Sequence, residues 1–149
     1  MSQNNRLRLY HFHLLLLHLG AAAAVYFTVR DDDLVWLIGS ATMYLFLQFL
    51  GGNIALHRHF SHASFSTGAF REKFLIVIGN LTCLGSSIAW VSTHKHHHLH
   101  ADQVSDCHSP HHLSATKILL GYWNAPQKVS ESLRPLRDFH WHLFFHKWY

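Results

Sequence analysis

The sequence predicts an all-α protein embedded in a membrane, with a histidine-bearing cap on one side. Charged residues make up 13% of the 149 positions, about half of the roughly 25% that is usual in soluble domains. Two long stretches, Tyr10–Val29 and Leu34–Leu56, carry no charged residue. The chain also contains 17 histidines, and imidazole is the commonest metal ligand in proteins. We therefore expect a two-span transmembrane hairpin, an interfacial amphipathic helix and a cytoplasmic cap that binds metal.

The first predicted span is Tyr10–Val29, whose length at about 1.5 Å per residue matches the roughly 30 Å of bilayer hydrocarbon. It contains three histidines: His11, His13 and His18. We expect them at the headgroups or against another helix, because polar groups within spans face protein. A signal peptide is an alternative, since Arg6 and Arg8 precede an apolar run that ends in Ala21–Ala24. The second apolar stretch, which follows closely, argues against that alternative.

The second predicted span is Leu34–Leu56, and it follows a short turn at Arg30–Asp33. Two spans joined by so short a turn form an antiparallel hairpin. Basic residues flank the outer ends of this hairpin, while acidic residues lie at its tip. The positive-inside rule therefore places the N-terminus and His57 in the cytoplasm.

A third apolar run, Phe74–Val91, is expected not to cross the membrane. Histidine clusters lie before and after it, and one intervening span would place them on opposite sides of the bilayer. Bulky apolar residues also recur through the run at helical spacing, with small residues on the opposite face. This pattern predicts an amphipathic helix that lies in the membrane interface.

The two histidine clusters consist of His57 and His62, and of His94, His97 and His98. Residues i, i+3 and i+4 share one face of a helix, so the second cluster can converge on a metal. Five histidines exceed the need of one tetrahedral zinc ion. Zinc, copper, nickel and iron all accept imidazole, so the ligand type leaves the metal open.

The sequence around these clusters resembles the membrane fatty acyl desaturases of the stearoyl-CoA type, from about Gly51 to Pro110. His57-Arg58-x-x-Ser61-His62 is similar to the first histidine box of that family. Trp90-x-x-x-His94-Lys95-x-His97-His98 is similar to the second box. Asp106-Cys107-His108-Ser109-Pro110 resembles the Asp-Pro-His-Ser-Pro that follows it, with Cys107 in place of proline.

The resemblance implies a centre of two non-haem iron ions that uses O2 to introduce a cis double bond, in a Δ9-like position, into a fatty acyl chain. Carried over residue by residue, it implies five iron ligands: His57, His62, His94, His97 and His98. No catalytic side chain beyond these ligands is implied. Three further residues would support the ligands: Trp90, Asp106 and His108.

The family also indicates the partners of such a chain. The substrate would be an acyl-CoA or an acyl-lipid, and electrons would come from a donor of the cytochrome b5, ferredoxin or rubredoxin type. We expect no nucleic-acid partner, because no basic run interleaves with aromatic residues.

The third histidine box and the second hairpin of the family are absent from this sequence, whose remainder, 111–149, is expected to be a cytoplasmic segment. His142 and His146, four residues apart, are candidates to replace the missing ligands. The aromatic residues around them favour an interfacial segment instead. We therefore expect the N-terminal half of a desaturase, with a weakly metallated site and no activity on its own.

Three alternatives remain open at this stage. The first is a related di-iron lipid hydroxylase or ketolase with similar histidine boxes. The second is a non-enzymatic, histidine-rich membrane protein that binds metal for storage or sensing. The third is a truncated relic without a present function.

Overall fold

The computed structural model describes residues 3–107, 109–120, 136 and 139–148. Within these ranges the regular secondary structure is helical and contains no strand, which confirms the predicted all-α class. The elements in chain order are α1 (Gln3–Asp31), α2 (Val35–Leu47), a π-helix (Gln48–Ser61), α3 (Ala69–Asn80), α4 (Ser87–His100), α5 (Ala115–Leu119) and α6 (Phe139–Trp148).

Two helical stretches are long and apolar enough to cross a membrane, Tyr10–Asp31 and Val35–Ser61. Only 6% and 11% of the residues in their most apolar windows are buried inside the protein. The core helix of a soluble protein would bury such a surface against other elements. These helices therefore indicate a membrane protein. The second stretch continues past the expected end at Leu56 and includes His57, one of the two residues of the first histidine cluster.

The connection between α1 and α2 is a tight turn. Asp32 adopts a positive φ of 51°, and the Asp33 carboxylate accepts a hydrogen bond from the Val35 amide at 2.9 Å. The Phe27 and Trp36 rings, one from each helix, lie with their centroids 5.5 Å apart. The two helices therefore contact each other next to the turn.

The helix that follows α2 is wound as a π-helix, in which amides bond to the carbonyl five residues earlier rather than four. It lies close against α3 at Gly51. A Cβ atom on Gly51 would lie 2.5 Å from the Ile78 carbonyl oxygen and 2.5 Å from a Thr82 methyl group. Glycine is therefore required at this position for the two backbones to approach each other.

The structure differs from the single interfacial helix that the sequence predicts over 74–91. Helix α3 ends at Asn80 and α4 begins at Ser87. Between them Cys83 and Gly85 have φ values of 59° and 101°, and a right-handed helix cannot continue through such residues. The Ser86 side chain then accepts a hydrogen bond from the Ala89 amide at 3.2 Å and caps α4.

Neither half of this run has the length of a membrane span. Helix α3 has 12 residues, which corresponds to about 18 Å. Its Leu75, Ile76 and Ile78 side chains are buried in the protein. Within the described part of the chain, the two stretches named above are the only candidate spans.

The hydrophobic core joins the π-helix, α3 and α4. Its buried members are Ala55, Leu56, Phe60, Leu75, Ile76, Ile78 and Val91. Helix α6 packs against α3 and α4, with Trp141 and Phe145 at the edge of this core. The two elements that carry the histidine clusters, the π-helix and α4, are thus held by one shared core.

Candidate metal centre

Four of the five predicted ligands converge on one point: His57, His62, His94 and His98. One ring nitrogen from each lies within 4.8 Å of the other three. The Nε2 atom of His94 is 3.0 Å from Nε2 of His62 and 3.0 Å from Nε2 of His98. Neighbouring nitrogens around one ion, with bonds of about 2.0–2.1 Å, lie about 3 Å apart. The four side chains therefore fit a metal ion.

The π-helical winding brings the two members of the first cluster together. His57 and His62 are five residues apart, a separation of about 140° around an α-helix at 3.6 residues per turn. In the π-helix the His62 amide donates to the His57 carbonyl at 3.1 Å, so one residue follows the other after one turn. Their ring centroids are 4.7 Å apart. Irregular π turns occur frequently at functional sites.

Helix α4 supplies the other two members from one face. His94 and His98 are one turn apart, and their ring centroids are separated by 4.5 Å. Trp90, one turn earlier, stacks on His94 with the ring planes 19° apart and the centroids separated by 4.6 Å. The indole thus limits the orientation of the His94 ring.

His97, the fifth predicted ligand, lies beside the four but is not part of their group. Its Nδ1 is 2.9 Å from both carboxylate oxygens of Asp106, and the Asp106 side chain is fully buried. A carboxylate that accepts the ring N–H fixes the tautomer and orientation of a histidine ligand. Any metal bound by His97 would therefore be held through Nε2. His108 lies outside the described residues.

The electrostatics of the site favour the neutral form of two of the four imidazoles. The pKa of His94 is lowered from 6.5 to about 3, mainly by desolvation and then by the nearby His98 and His57. The pKa of His62 is also lowered, first by desolvation and then by His57 and His98. Metal binds the unprotonated ring, so these shifts keep the rings ready for a metal at neutral pH.

His59 lies between the first two ligands in sequence, but it has a different role. Its Nδ1 is 3.1 Å from the Phe65 carbonyl oxygen and its Nε2 is 2.9 Å from the Glu72 carboxylate. The His59 and Glu72 side chains are 9% and 7% exposed. This buried contact ties the π-helix to α3, and the sequence pattern did not reveal it. The only indication of this contact in the sequence was Glu72, an acidic residue at the edge of an apolar run.

The α6 histidines lie against the start of α4. His142 is fully buried, and its Nδ1 is 2.6 Å from the Ser87 hydroxyl. His146 Nδ1 is 2.6 Å from the Ser86 hydroxyl. Both residues therefore contact the start of α4, and neither belongs to the group of four converging histidines.

Curated fatty acid desaturases are similar to part of this chain. The sn-1 stearoyl-lipid 9-desaturase of Anabaena variabilis is 38% identical over 94 residues, which are 62% of this chain and 33% of that protein. The Delta-9 acyl-lipid desaturase 1 of Arabidopsis thaliana is 41% identical over 61 residues, 41% of this chain and 20% of that protein. The icosanoyl-CoA 5-desaturase of Limnanthes douglasii is 34% identical over 102 residues, 65% of this chain and 26% of that protein.

No protein-family model and no solved structure matches the chain. The matched segments span between a fifth and a third of the length of these three relatives. The matches nevertheless confirm the resemblance that the histidine motifs carry: over this part, the chain is similar to the fatty acid desaturases.

Proposed function

We propose that this chain contributes the metal-binding part of a membrane fatty acyl desaturase. The observation that carries the proposal is the convergence of His57, His62, His94 and His98 from two separate elements onto one point, in a chain similar to desaturases. A surface that is rich in histidine but has no metal centre would not direct four ligand nitrogens towards each other from the π-helix and α4. The spacing alone would not have produced this arrangement in the first cluster.

The reaction that fits is the O2-dependent introduction of a cis double bond, in a Δ9-like position, into a fatty acyl chain. No acidic or basic side chain can remove hydrogen from an unactivated methylene, so two iron ions with O2 would supply that chemistry. The relatives named above act on stearoyl-lipid, acyl-lipid and icosanoyl-CoA substrates, according to their names. We infer the same two substrate classes, acyl-CoA or acyl-lipid, for this chain.

The protein side chains would hold and orient the metal. His57, His62, His94 and His98 would bind through neutral ring nitrogens, and His97 would bind through Nε2 while Asp106 holds its Nδ1. Trp90 would restrict the ring of His94 by stacking. The buried His59–Glu72 pair would keep the first cluster in register with α3.

The proposed topology is an antiparallel hairpin with the N-terminus and both histidine clusters on the cytoplasmic side. Three basic residues lie at the outer ends of the two candidate spans, against Arg30 alone near the turn, and this excess supports the orientation: Arg6, Arg8 and Arg58. Electrons would then come from a cytoplasmic donor of the cytochrome b5, ferredoxin or rubredoxin type.

The metal centre is tested by titrating the full chain, purified in lipid nanodiscs, with Co²⁺ and following the visible absorption of the bound ion. We expect one saturable site with nitrogen ligands, and we expect His98→Ala to weaken it strongly. His96→Ala is the matched control, because His96 lies on the same helix and its Nε2 is 2.9 Å from the Ser105 carbonyl oxygen. Equal losses in both variants would favour a non-enzymatic, histidine-rich metal binder.

The reaction is tested in a chimera that replaces the corresponding segment of the Anabaena variabilis relative by residues 51–110 of this chain. We expect the chimera to form double bonds in stearoyl-lipid, and we expect His98→Ala in the chimera to abolish them. Analysis of the acyl products by mass spectrometry also separates a desaturase from a hydroxylase or ketolase. A folded, iron-loaded chimera that forms no product, or only hydroxylated product, would contradict the proposal.

A further inference from the structure

The two histidines of α6 are each joined to one of two consecutive serines. His142 Nδ1 and the Ser87 hydroxyl are 2.6 Å apart, and His146 Nδ1 and the Ser86 hydroxyl are also 2.6 Å apart. Histidines four residues apart lie on one face of a helix, so α6 presents both rings to the start of α4 at once. Ser86, Ser87 and His142 are completely buried.

His142 also contacts the first histidine cluster. Its ring meets the Phe60 ring edge to face, with centroids 4.9 Å apart and planes at 87°. Phe60 lies between His57 and His62 on the π-helix and belongs to the hydrophobic core. Ser87 is the first residue of α4, the helix that carries the other two converging histidines. One buried side chain thus touches both elements that hold the candidate ligands.

Two other roles for these histidines fit the surroundings less well. A serine hydroxyl at hydrogen-bonding distance from an imidazole is also the geometry of a nucleophile and its base. Here Ser87 is fully buried, and Ser86 accepts a hydrogen bond from the Ala89 amide as the cap of α4, so no substrate can reach either hydroxyl. A metal-ligand role is unsupported because neither histidine belongs to the group of four converging ligand nitrogens.

We propose that His142, His146, Ser86 and Ser87 form a clasp through which α6 positions the metal ligands, and this inference rests on the proposed metal centre. A functional constellation must be held within about 0.5 Å of its productive geometry. Apolar contacts alone are non-directional, whereas two short hydrogen bonds fix the position of α4 along its axis relative to α6. The contact between His142 and Phe60 then fixes the position of the π-helix relative to α4 and α6. His142 is therefore a positioning residue.

The test is a Co²⁺ titration of the full chain in lipid nanodiscs, compared across four variants. We expect His142→Ala to weaken Co²⁺ binding by about tenfold or more, as loss of a group that supports metal ligands typically does. Ser87→Ala, which removes one hydroxyl, should weaken binding by a smaller factor. His142→Asn should restore most of the affinity, because its amide can bond to Ser87 from nearly the position of Nδ1. His140→Ala, an exposed histidine of the same helix, should bind Co²⁺ like the wild type.

A second measurement, without metal, separates the clasp from the metal centre. We expect His142→Ala to accelerate amide hydrogen exchange in residues 55–63 of the metal-free chain, while His140→Ala leaves it unchanged. A wild-type chain that does not bind Co²⁺ would refute the proposed metal centre, and accelerated exchange would still support the mechanical part of the clasp. Unchanged exchange in His142→Ala would overturn the clasp. Wild-type Co²⁺ affinity in His142→Ala would overturn its role in positioning the ligands.

Discussion

Two pairs of histidines in this chain have the same spacing in the sequence, but only one pair brings its rings together. His13 and His18 on α1 are five residues apart, as are His57 and His62. Helix α1 is a regular α-helix, so its pair points about 140° apart, and His18 donates through Nδ1 to the Leu14 carbonyl at 2.7 Å. On the π-helix the second pair meets with ring centroids 4.7 Å apart. Two histidines five residues apart can therefore form a metal-binding pair on a π-helix, but they do not do so on a regular α-helix.

The surroundings of the two pairs differ as well. The α1 histidines lie on a helix that packs little of its surface into the protein. The π-helix is packed against α3 and α4 around a shared core. Because packed interiors resist small displacements, the surroundings of the second pair hold its rings in place. The following predictions change the packed region, and two of them use α1 as the control.

The largest effect is expected for His94→Ala. Its Nε2 is 3.0 Å from the Nε2 atoms of both His62 and His98, so its loss removes the centre of the ligand group. We expect Co²⁺ or Fe²⁺ affinity to fall by more than about 100-fold, which exceeds the effect of losing a supporting group. Isothermal titration gives the affinity, and His18→Ala on α1 should leave it unchanged. Comparable losses in both variants would contradict the proposed centre.

The next effect is expected for Asp106→Asn. The carboxylate lies 2.9 Å from His97 Nδ1 with both of its oxygens, and an uncharged amide orients a ring more weakly. We expect metal affinity to fall by about 10-fold to 100-fold with the fold preserved. Circular dichroism and metal titration of the same preparation separate the two effects. An unchanged affinity would show that His97 does not take part in metal binding.

A smaller effect is expected for Gly51→Ala. The new methyl group would meet the Ile78 carbonyl oxygen at 2.5 Å and push the π-helix away from α3. We expect a loss of about 1–3 kcal/mol in the free energy of unfolding, as in other overpacked sites. Gly20→Ala on α1 is the matched control, since nothing lies within 4 Å of its added atom. Unfolding by denaturant in mild detergent measures both, and equal stabilities would contradict the close approach.

The smallest effect is expected from pH. The His94 pKa of about 3 in the folded chain lies below the ordinary value of about 6.5. Below pH 6.5 the unfolded chain takes up a proton that the folded chain does not, so the free energy of unfolding decreases as pH falls from about 6.5 towards 3. His94→Leu should therefore show a flatter fall in Tm between pH 7 and pH 5 than the metal-free wild type. An identical slope would contradict the shift, and His140→Leu is the control.

Several features followed from local sequence alone. The two long stretches without charge predicted the two candidate spans, because bilayer thickness sets their length. The pairing of His94 with His98 followed from the regular period of an α-helix, and α4 has that period. The helical content could also be predicted from the sequence, because the period of a helix is a local property. The resemblance to fatty acid desaturases followed from the two histidine boxes, and the similar proteins confirm it.

Other features depended on contacts between residues far apart in sequence, and no local pattern could reveal them. The π winding of 48–61 accompanies the close packing of Gly51 against α3. The docking of α6 depends on hydrogen bonds from His142 and His146 to serines more than fifty residues earlier. The hydrogen bond between His97 and Asp106 depends on the conformation of the loop after α4.

The sequence by itself thus determined that the chain is helical, which segments are apolar enough for a membrane and which histidines are candidate ligands. These properties arise from residue chemistry and a fixed helical period, both of which are local. The tertiary structure alone decided that His57 meets His62, that His97 turns towards Asp106 and that α6 supports the start of α4. Each of these outcomes depends on the packing of several elements against one core, and the free energy of that packing is shared among residues distant in the chain.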